Sequence, residues 1–467
     1  MAIELSPKCD KETKMIYRKL YTTRRLRNLI ALVGFLVLLI AVFNSPPIRD
    51  RLAWRLDDLR TQIKYFFNPP EEAVFQPGQQ GTVKPPATQA IATSPVTTRT
   101  PSPVSLSPAA TTANTPIPLP ETVSLSGFTY VDQNERWNYC GPATLTMALN
   151  FWGWNGNRDD IAEVVKPGVQ DPNLDFIQRG KWDKNVMPYE MADFVEDYTE
   201  FKVIVRYGGE MELIKRLVAA GFPVVIEKGY YERDYTGKVG WLGHYAFTTG
   251  YDEKGGAFVY QETYPPKGES GENRTVAYDV FREGWRGFNY LFMVVYPPER
   301  ESEVLAVLGP WSDATWANQH ALAIANGEVQ TLTGIDQFFA GFNKGTAHVA
   351  LQQYSSASEA YDRAFSVYAG LDQDDKSRPY RVMWYQTGPY WAYYYSGRYE
   401  DVIALANTTL NETIADPTLE ESLYWRGLAE YALGDMQTAI ADLREAIRLN
   451  PNFEPGAVKL REWGVDP

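Results

Sequence analysis

Residues 68–120 limit most strictly what this chain can fold into, because Pro, Thr, Ser, Ala and Gln dominate them and aromatic residues are almost absent. Such a stretch cannot bury enough apolar surface to offset the entropy of ordering it, so it reads as a disordered linker. The chain therefore has to divide around it, with a short element before it and the folded domains after it. At 467 residues it is too long for one ordinary core, and its 44% hydrophobic and 14% aromatic content suffices for more than one packed domain. A net charge of −13 argues against a nucleic-acid partner.

Ahead of the linker, Leu29 to Phe43 form an unbroken apolar run preceded by Lys14, Arg18, Lys19, Arg24, Arg25 and Arg27. Extended slightly at its ends, this run predicts a transmembrane anchor over 29–45, with residues 1–28 cytoplasmic and everything downstream extracytoplasmic. A cleaved signal peptide has the same order of parts, but Asn44-Ser-Pro-Pro-Ile-Arg is a poor cleavage site. Residues 46–67 alternate charge with bulk, as a helix lying along a membrane would.

Residues 121–300 read as a domain. Ala143–Trp152, Asp159–Val165 and Met187–Val195 are helical in pattern, and Glu210–Ala220 is a further helix. Strands are predicted at Phe201–Tyr207, at the β-branched run Gly221–Glu227, as a pair Tyr245–Tyr251 and Ala257–Gln261 around the turn Asp252–Gly256, and at Tyr290–Tyr296. Helices first and strands later imply α+β.

The remainder, 301–467, is helical and repeats itself. Gly345, Leu351, Tyr354, Ala357, Tyr361 and Ala364 recur in spacing as Gly427, Leu433, Met436, Ala439, Leu443 and Ala446. A degenerate copy spans Pro379–Glu412, and a helical pair over Trp311–Phe342 leads in. These offsets resemble the tetratricopeptide (TPR) repeat, so an all-α TPR-like solenoid is expected, with a concave surface for a protein partner. His320 and His348, and the aromatic run Tyr390–Tyr395, read as packing residues of this array.

The chain has two cysteines and three histidines. Cys9 lies upstream of the apolar run and reads as an inert thiol. Cys140, in Asn138-Tyr-Cys140-Gly-Pro-Ala, opens a helix, where unpaired backbone amides favour thiolate over thiol. His244, in Gly243-His244-Tyr, is the one histidine before residue 320. A lone thiol and a lone imidazole in one domain point to a nucleophile and its base. A third polar group must orient the imidazole, and Gln261 and Glu262 stand at the end of an apolar run where one could do so. No Cys-x-x-Cys or His-x-x-x-His spacing calls for a metal, and no cofactor is called for.

With Gln133, Asn138-Tyr-Cys140-Gly-Pro-Ala-Thr-Leu-Thr-Met147, Asn150-Phe-Trp-Gly153, Gly221-Phe-Pro-Val-Val and Gly243-His244-Tyr…Thr249-Gly-Tyr-Asp252, the domain resembles the papain-like cysteine peptidases of the bacteriocin-leader, or double-glycine, processing group. The resemblance implies Cys140 as nucleophile, His244 as base, and Gln133 completing an oxyanion hole with the Cys140 backbone amide. The family's third residue is usually Asp, and Glu262 occupies that place here. The Gln133-to-Cys140 spacing is about one residue longer than typical, which leaves Asn134 or Asn138 as alternatives to Gln133. Altogether the chain is expected to be a multidomain, membrane-anchored extracytoplasmic cysteine peptidase acting on a peptide or protein substrate, with repeats that bind substrate or partner. A catalytically inactive scaffold and a thiol acyltransferase are the alternatives.

Overall fold

The computed structural model describes residues 34, 63, 75–78, 118–134, 136, 138–168, 184–233, 239–266, 268–372, 378–412 and 419–467. The chain separates into compact units at 1–67 and 68–467. In the first, Gly34 and Ile63 are helical, and the rest of the expected anchor and juxtamembrane helix lies outside the described residues. Among the described residues no helix is long and apolar enough to cross a membrane.

In the second unit, the N-terminal half is α+β. Its helices are α1 (Cys140–Phe151), α2 (Arg158–Val165), α3 (Pro188–Tyr198), α4 (Met211–Ala219) and α5 (Tyr278–Arg286). Its strands are β1 (Thr122–Ser124), β2 (Lys202–Arg206), β3 (Val224–Arg233), β4 (Val239–Asp252), β5 (Ala257–Glu262), β6 (Arg274–Ala277) and β7 (Phe292–Tyr296). They form one sheet in the order β2-β7-β3-β4-β5-β6, with β1 added to β4. Every pairing is antiparallel.

The apolar run Val224-Val-Ile226 is continuous because the sheet is covered on both faces. Val225, Phe247, Met293 and Val295 pack with Leu145, Leu149, Ile161 and Phe194 of α1 to α3. Val224, Ile226, Phe292 and Val294 turn to the other face and pack with Leu213, Leu217, Phe281 and Trp285 of α4 and α5. Alternate side chains of a strand point to opposite faces, so a strand buried on both must be apolar at every position.

The β3–β4 hairpin is longer than the sequence predicts, since β3 runs on to Arg233 and β4 starts at Val239. Charged and glycine-rich residues obscure this outer half in the sequence. It is stabilised by a docked segment, with Trp241 stacked on Phe288 at 5.3 Å and against Phe339 at 5.1 Å. The β6–α5 segment was not anticipated either. Its apolar Tyr278, Phe281 and Trp285 recur at helical spacing, but they are scattered among charges and find their partner only in the folded sheet.

The C-terminal half is helical: α6 (Glu301–Leu308), α7 (Ala314–Thr331), α8 (Gly334–Ala350), α9 (Tyr354–Ala369), α10 (Val382–Tyr385), α11 (Gly388–Tyr395), α12 (Tyr399–Asn407), α13 (Glu420–Ala432), α14 (Met436–Leu449) and α15 (Glu454–Glu462). Small residues let the paired helices approach. A Cβ at Gly345 would meet the Tyr361 ring at 2.6 Å, and one at Gly427 would meet the Ala439 carbonyl oxygen at 3.0 Å. Pro389, which interrupts the degenerate repeat, stands in the first turn of α11, where its missing N–H costs nothing.

The two halves share a core, for Val304, Leu308, Trp311 and Ala317 join the cluster beneath α4 and α5. Polar ties reinforce it. Buried Lys184 bridges Glu190 at 2.6 Å and Glu420 at 3.1 Å, and Asn452 Nδ2 donates to the Val164 carbonyl at 2.7 Å. His320 serves this junction rather than repeat packing: its Nε2 pairs with Glu210 at 2.8 Å while its ring stacks on Trp316. His348 bonds Gln353 through Nδ1 at 2.7 Å. Within the segment read as a linker, Phe75 is buried against Phe365 and Tyr393, and the Gly78 N–H donates to Asp401 at 2.9 Å.

Candidate active site

Cys140 is the first residue of α1, and Pro142 sits in the first turn, where proline is pre-shaped for a helix. Close packing holds this helix start against β4. A Cβ at Gly141 would meet Val186 at 3.2 Å and Met191 at 3.3 Å, while Thr144 Oγ1 donates to the Tyr245 carbonyl at 3.3 Å. Asn138 adopts a positive φ of 50°, tolerated by asparagine, and its carbonyl accepts from the buried Lys166 Nζ at 2.8 Å.

His244 is buried on β4, at 3% exposure. Its Nε2 is hydrogen-bonded to Glu262 Oε1, at the end of β5, and lies 3.4 Å from Thr263 Oγ1. Its ring also shares a side-chain hydrogen bond with Cys140. With Nε2 taken, Nδ1 is the nitrogen left for the thiol. Glu262 is held in turn by Lys228 Nζ at 3.1 Å and by the Tyr264 N–H at 3.1 Å. Gln261 points elsewhere, donating to Thr249 at 2.8 Å and to Asn273 at 3.0 Å. Of the two residues the sequence left open, Glu262 is the one that meets the imidazole.

Gln133 lies beside this group, with its Oε1 accepting from Thr263 Oγ1 at 3.3 Å. The donors thus run in one direction, from His244 Nε2 to Glu262 and Thr263, and from Thr263 to Gln133. The Gln133 NH₂ group is left over to donate. Asn134 uses its own amide on Asp132 at 2.8 Å, and the Asn138 carbonyl is engaged by Lys166.

The electrostatics favour a charged pair. Burial pushes the Cys140 thiol up, but the His244 hydrogen bond and charge, the Tyr245 backbone and Lys166 outweigh it and bring it below its ordinary value. Burial pushes His244 down, yet Glu262 and Cys140 raise it to about 9. Glu262, despite its own burial, is held well below the carboxylate range by His244 and then Lys228. Such an arrangement can present a thiolate beside an imidazolium, fit for attack on a carbonyl and protonation of a leaving group.

Sequence reasoning missed Thr263, Lys166 and Lys228. Thr263 directly follows the proposed acid and could have been found by its place. Lys228 pairs with His244 across β3 and β4, which only the register reveals.

Residues 125–292, which contain Gln133, Cys140, His244 and Glu262, match the model of the Peptidase_C39 like family. Residues 420–453, spanning α13 and α14, match that of the tetratricopeptide repeat. Among solved structures, the chain is similar to a C39-like peptidase from Bacillus anthracis, at 17% identity over 38% of this chain and 98% of that one, with a TM-score of 0.30, too slight a likeness to carry an argument. No match is found among curated proteins. By these family matches, the chain carries a C39-like peptidase domain followed by a helical region that holds a TPR repeat.

Proposed function

We propose that this protein is a cysteine peptidase that hydrolyses peptide bonds through Cys140, His244 and Glu262. The observation that carries the reading is His244 set between the Cys140 thiol and the Glu262 carboxylate. Cys140 Sγ attacks the peptide carbonyl and forms an acyl-enzyme. His244 gives its proton to the leaving amine, then takes one from the water that releases the acyl group. Gln133 and the Cys140 backbone N–H donate to the oxyanion. Residues 29–45 anchor the chain in a membrane with residues 1–28 cytoplasmic, and the downstream domains work outside, where the helical repeats hold substrate or partner protein.

Alkylation of the full chain with iodoacetamide at pH 6 tests the site. Wild type should react at Cys140 faster than a free cysteine at that pH, Cys140→Ala should leave only the slow reaction of Cys9, and His244→Ala should slow Cys140 to the free-thiol rate. A Cys140 rate no faster than a free thiol's and indifferent to His244 would sink the proposal. Protease added to intact cells tests the topology, and repeats protected after removal of any outer barrier would count against it.

A further inference from the structure

Glu227 on β3 is a buried acid that this chemistry does not use, with 3% of its surface exposed. Its side chain bonds that of Tyr245, and the Tyr245 hydroxyl donates onward to the Val186 carbonyl at 3.0 Å. Burial, and then the Cys140 charge, hold the carboxyl well above its usual range, so a cation arriving beside it would bring it down and release its proton to solvent, leaving a carboxylate. Among the described residues, no ion pair to Glu227 is found. Among those residues nothing supplies the counter-charge that a buried acid ordinarily has.

Glu227 lines a cavity of about 240 Å³. Tyr207 and Phe288 wall it from the peptidase domain, and Tyr385 and Trp391 from the helical region. Two of its lining residues, Glu227 and Tyr385, lie within electrostatic reach of Cys140. It falls below the roughly 300 Å³ at which pockets for whole small molecules begin, and so is sized for one side chain. A single acid among aromatic rings suits a cation, which gains a counter-ion from the carboxylate and quadrupole attraction from the rings.

We propose that this cavity is a substrate subsite for the side chain of lysine or arginine, with Glu227 as counter-ion and aromatic walls drawn from both domains. The inference rests on the peptidase reading for its word substrate, and on the cavity for its cation. The helical region is then part of the specificity site, since Tyr385 and Trp391 complete the pocket.

Calorimetry on the full chain with N-butylguanidinium and its neutral isostere N-butylurea tests the cation site without catalysis. The guanidinium should bind about tenfold more tightly or better, Glu227→Gln should abolish the difference, and Val349→Phe, narrowing the cavity from the helical side, should weaken binding. Equal binding of the two probes to wild type overturns the proposal without recourse to any variant. So does a preference for the cation that survives both substitutions. Peptidyl acyloxymethyl ketones carrying arginine or citrulline then report on Cys140. Faster labelling by an arginine probe, lost in Glu227→Gln, joins the pocket to the reaction. Inertness of Cys140 to every probe, with butylguanidinium still bound through Glu227, would overturn the peptidase reading and leave the cation site standing.

Discussion

Glu262 is the residue on which the imidazole depends. In Glu262→Gln the acceptor keeps its shape but loses its charge, so the imidazolium is no longer stabilised, and kcat/KM for peptide cleavage should fall on the order of 10²- to 10⁴-fold. Lys228→Met removes a group that holds Glu262 but does not touch the imidazole, and its loss should be smaller. A loss equal to that of Glu262→Gln would count against this ordering. The pH dependence follows from the shifts. His244, raised to about 9, contributes stability below its unfolded value of about 6.5 and loses it as pH rises through about 9. Cys140 is lowered, so it acts in the opposite sense, and the two offset in folding while the ion pair persists. Glu262 is depressed, so its contribution is present above about 4.3 and lost as pH falls. The thermal midpoints of wild type and Glu262→Gln should therefore differ at pH 6 and converge on acidification. Cleavage should decline as pH rises through about 9, where His244 gives up the proton it must donate.

Close approach between elements is what places the helical region beside the site. A Cβ at Gly243 would meet Phe288 and Tyr385 at 2.6 Å, immediately before His244 on β4. Gly243→Ala should push Tyr385 away and lower activity more than stability, with kcat/KM and thermal midpoint as the paired readouts. The glycine was legible in the sequence, and a glycine permits such an approach. Which segment comes near was not, because Tyr385 lies 142 positions later, in a short helix whose apolar faces carry no periodic signal. At the edge of the helical array, Phe75 fills a site between Phe365 and Tyr393 that composition alone assigns to a linker. Phe75→Ala should lower the thermal midpoint and speed proteolytic cleavage near residue 75, since it empties a buried site between two aromatic rings.

For the molecule as a whole, the junction between the peptidase domain and the helical region is held by a shared apolar core and by buried charge. Lys184 is buried between Glu190 and Glu420, and Lys184→Met would leave those acids without their cation, at a cost of about 3–5 kcal/mol. Residues 118–467 should melt in one transition in wild type, at a lower temperature in Lys184→Met. Separate calorimetric transitions for the two halves of the wild type would contradict a shared core.

By itself the sequence determined the local elements and the residue types of the site. Helical and strand periodicities, the Cys140-Gly-Pro start of α1, the glycine beside His244 and the offset of the repeats are all short-range signals, and each is set by a few neighbouring residues. Only the tertiary structure decided between Gln261 and Glu262, because adjacent residues at a strand end point opposite ways and the register chooses which one faces the imidazole. It alone brought Lys228 to the acid, Thr263 to Gln133, and Trp391 to the cavity that Glu227 lines. Those contacts join residues far apart in the chain, and no local pattern encodes them.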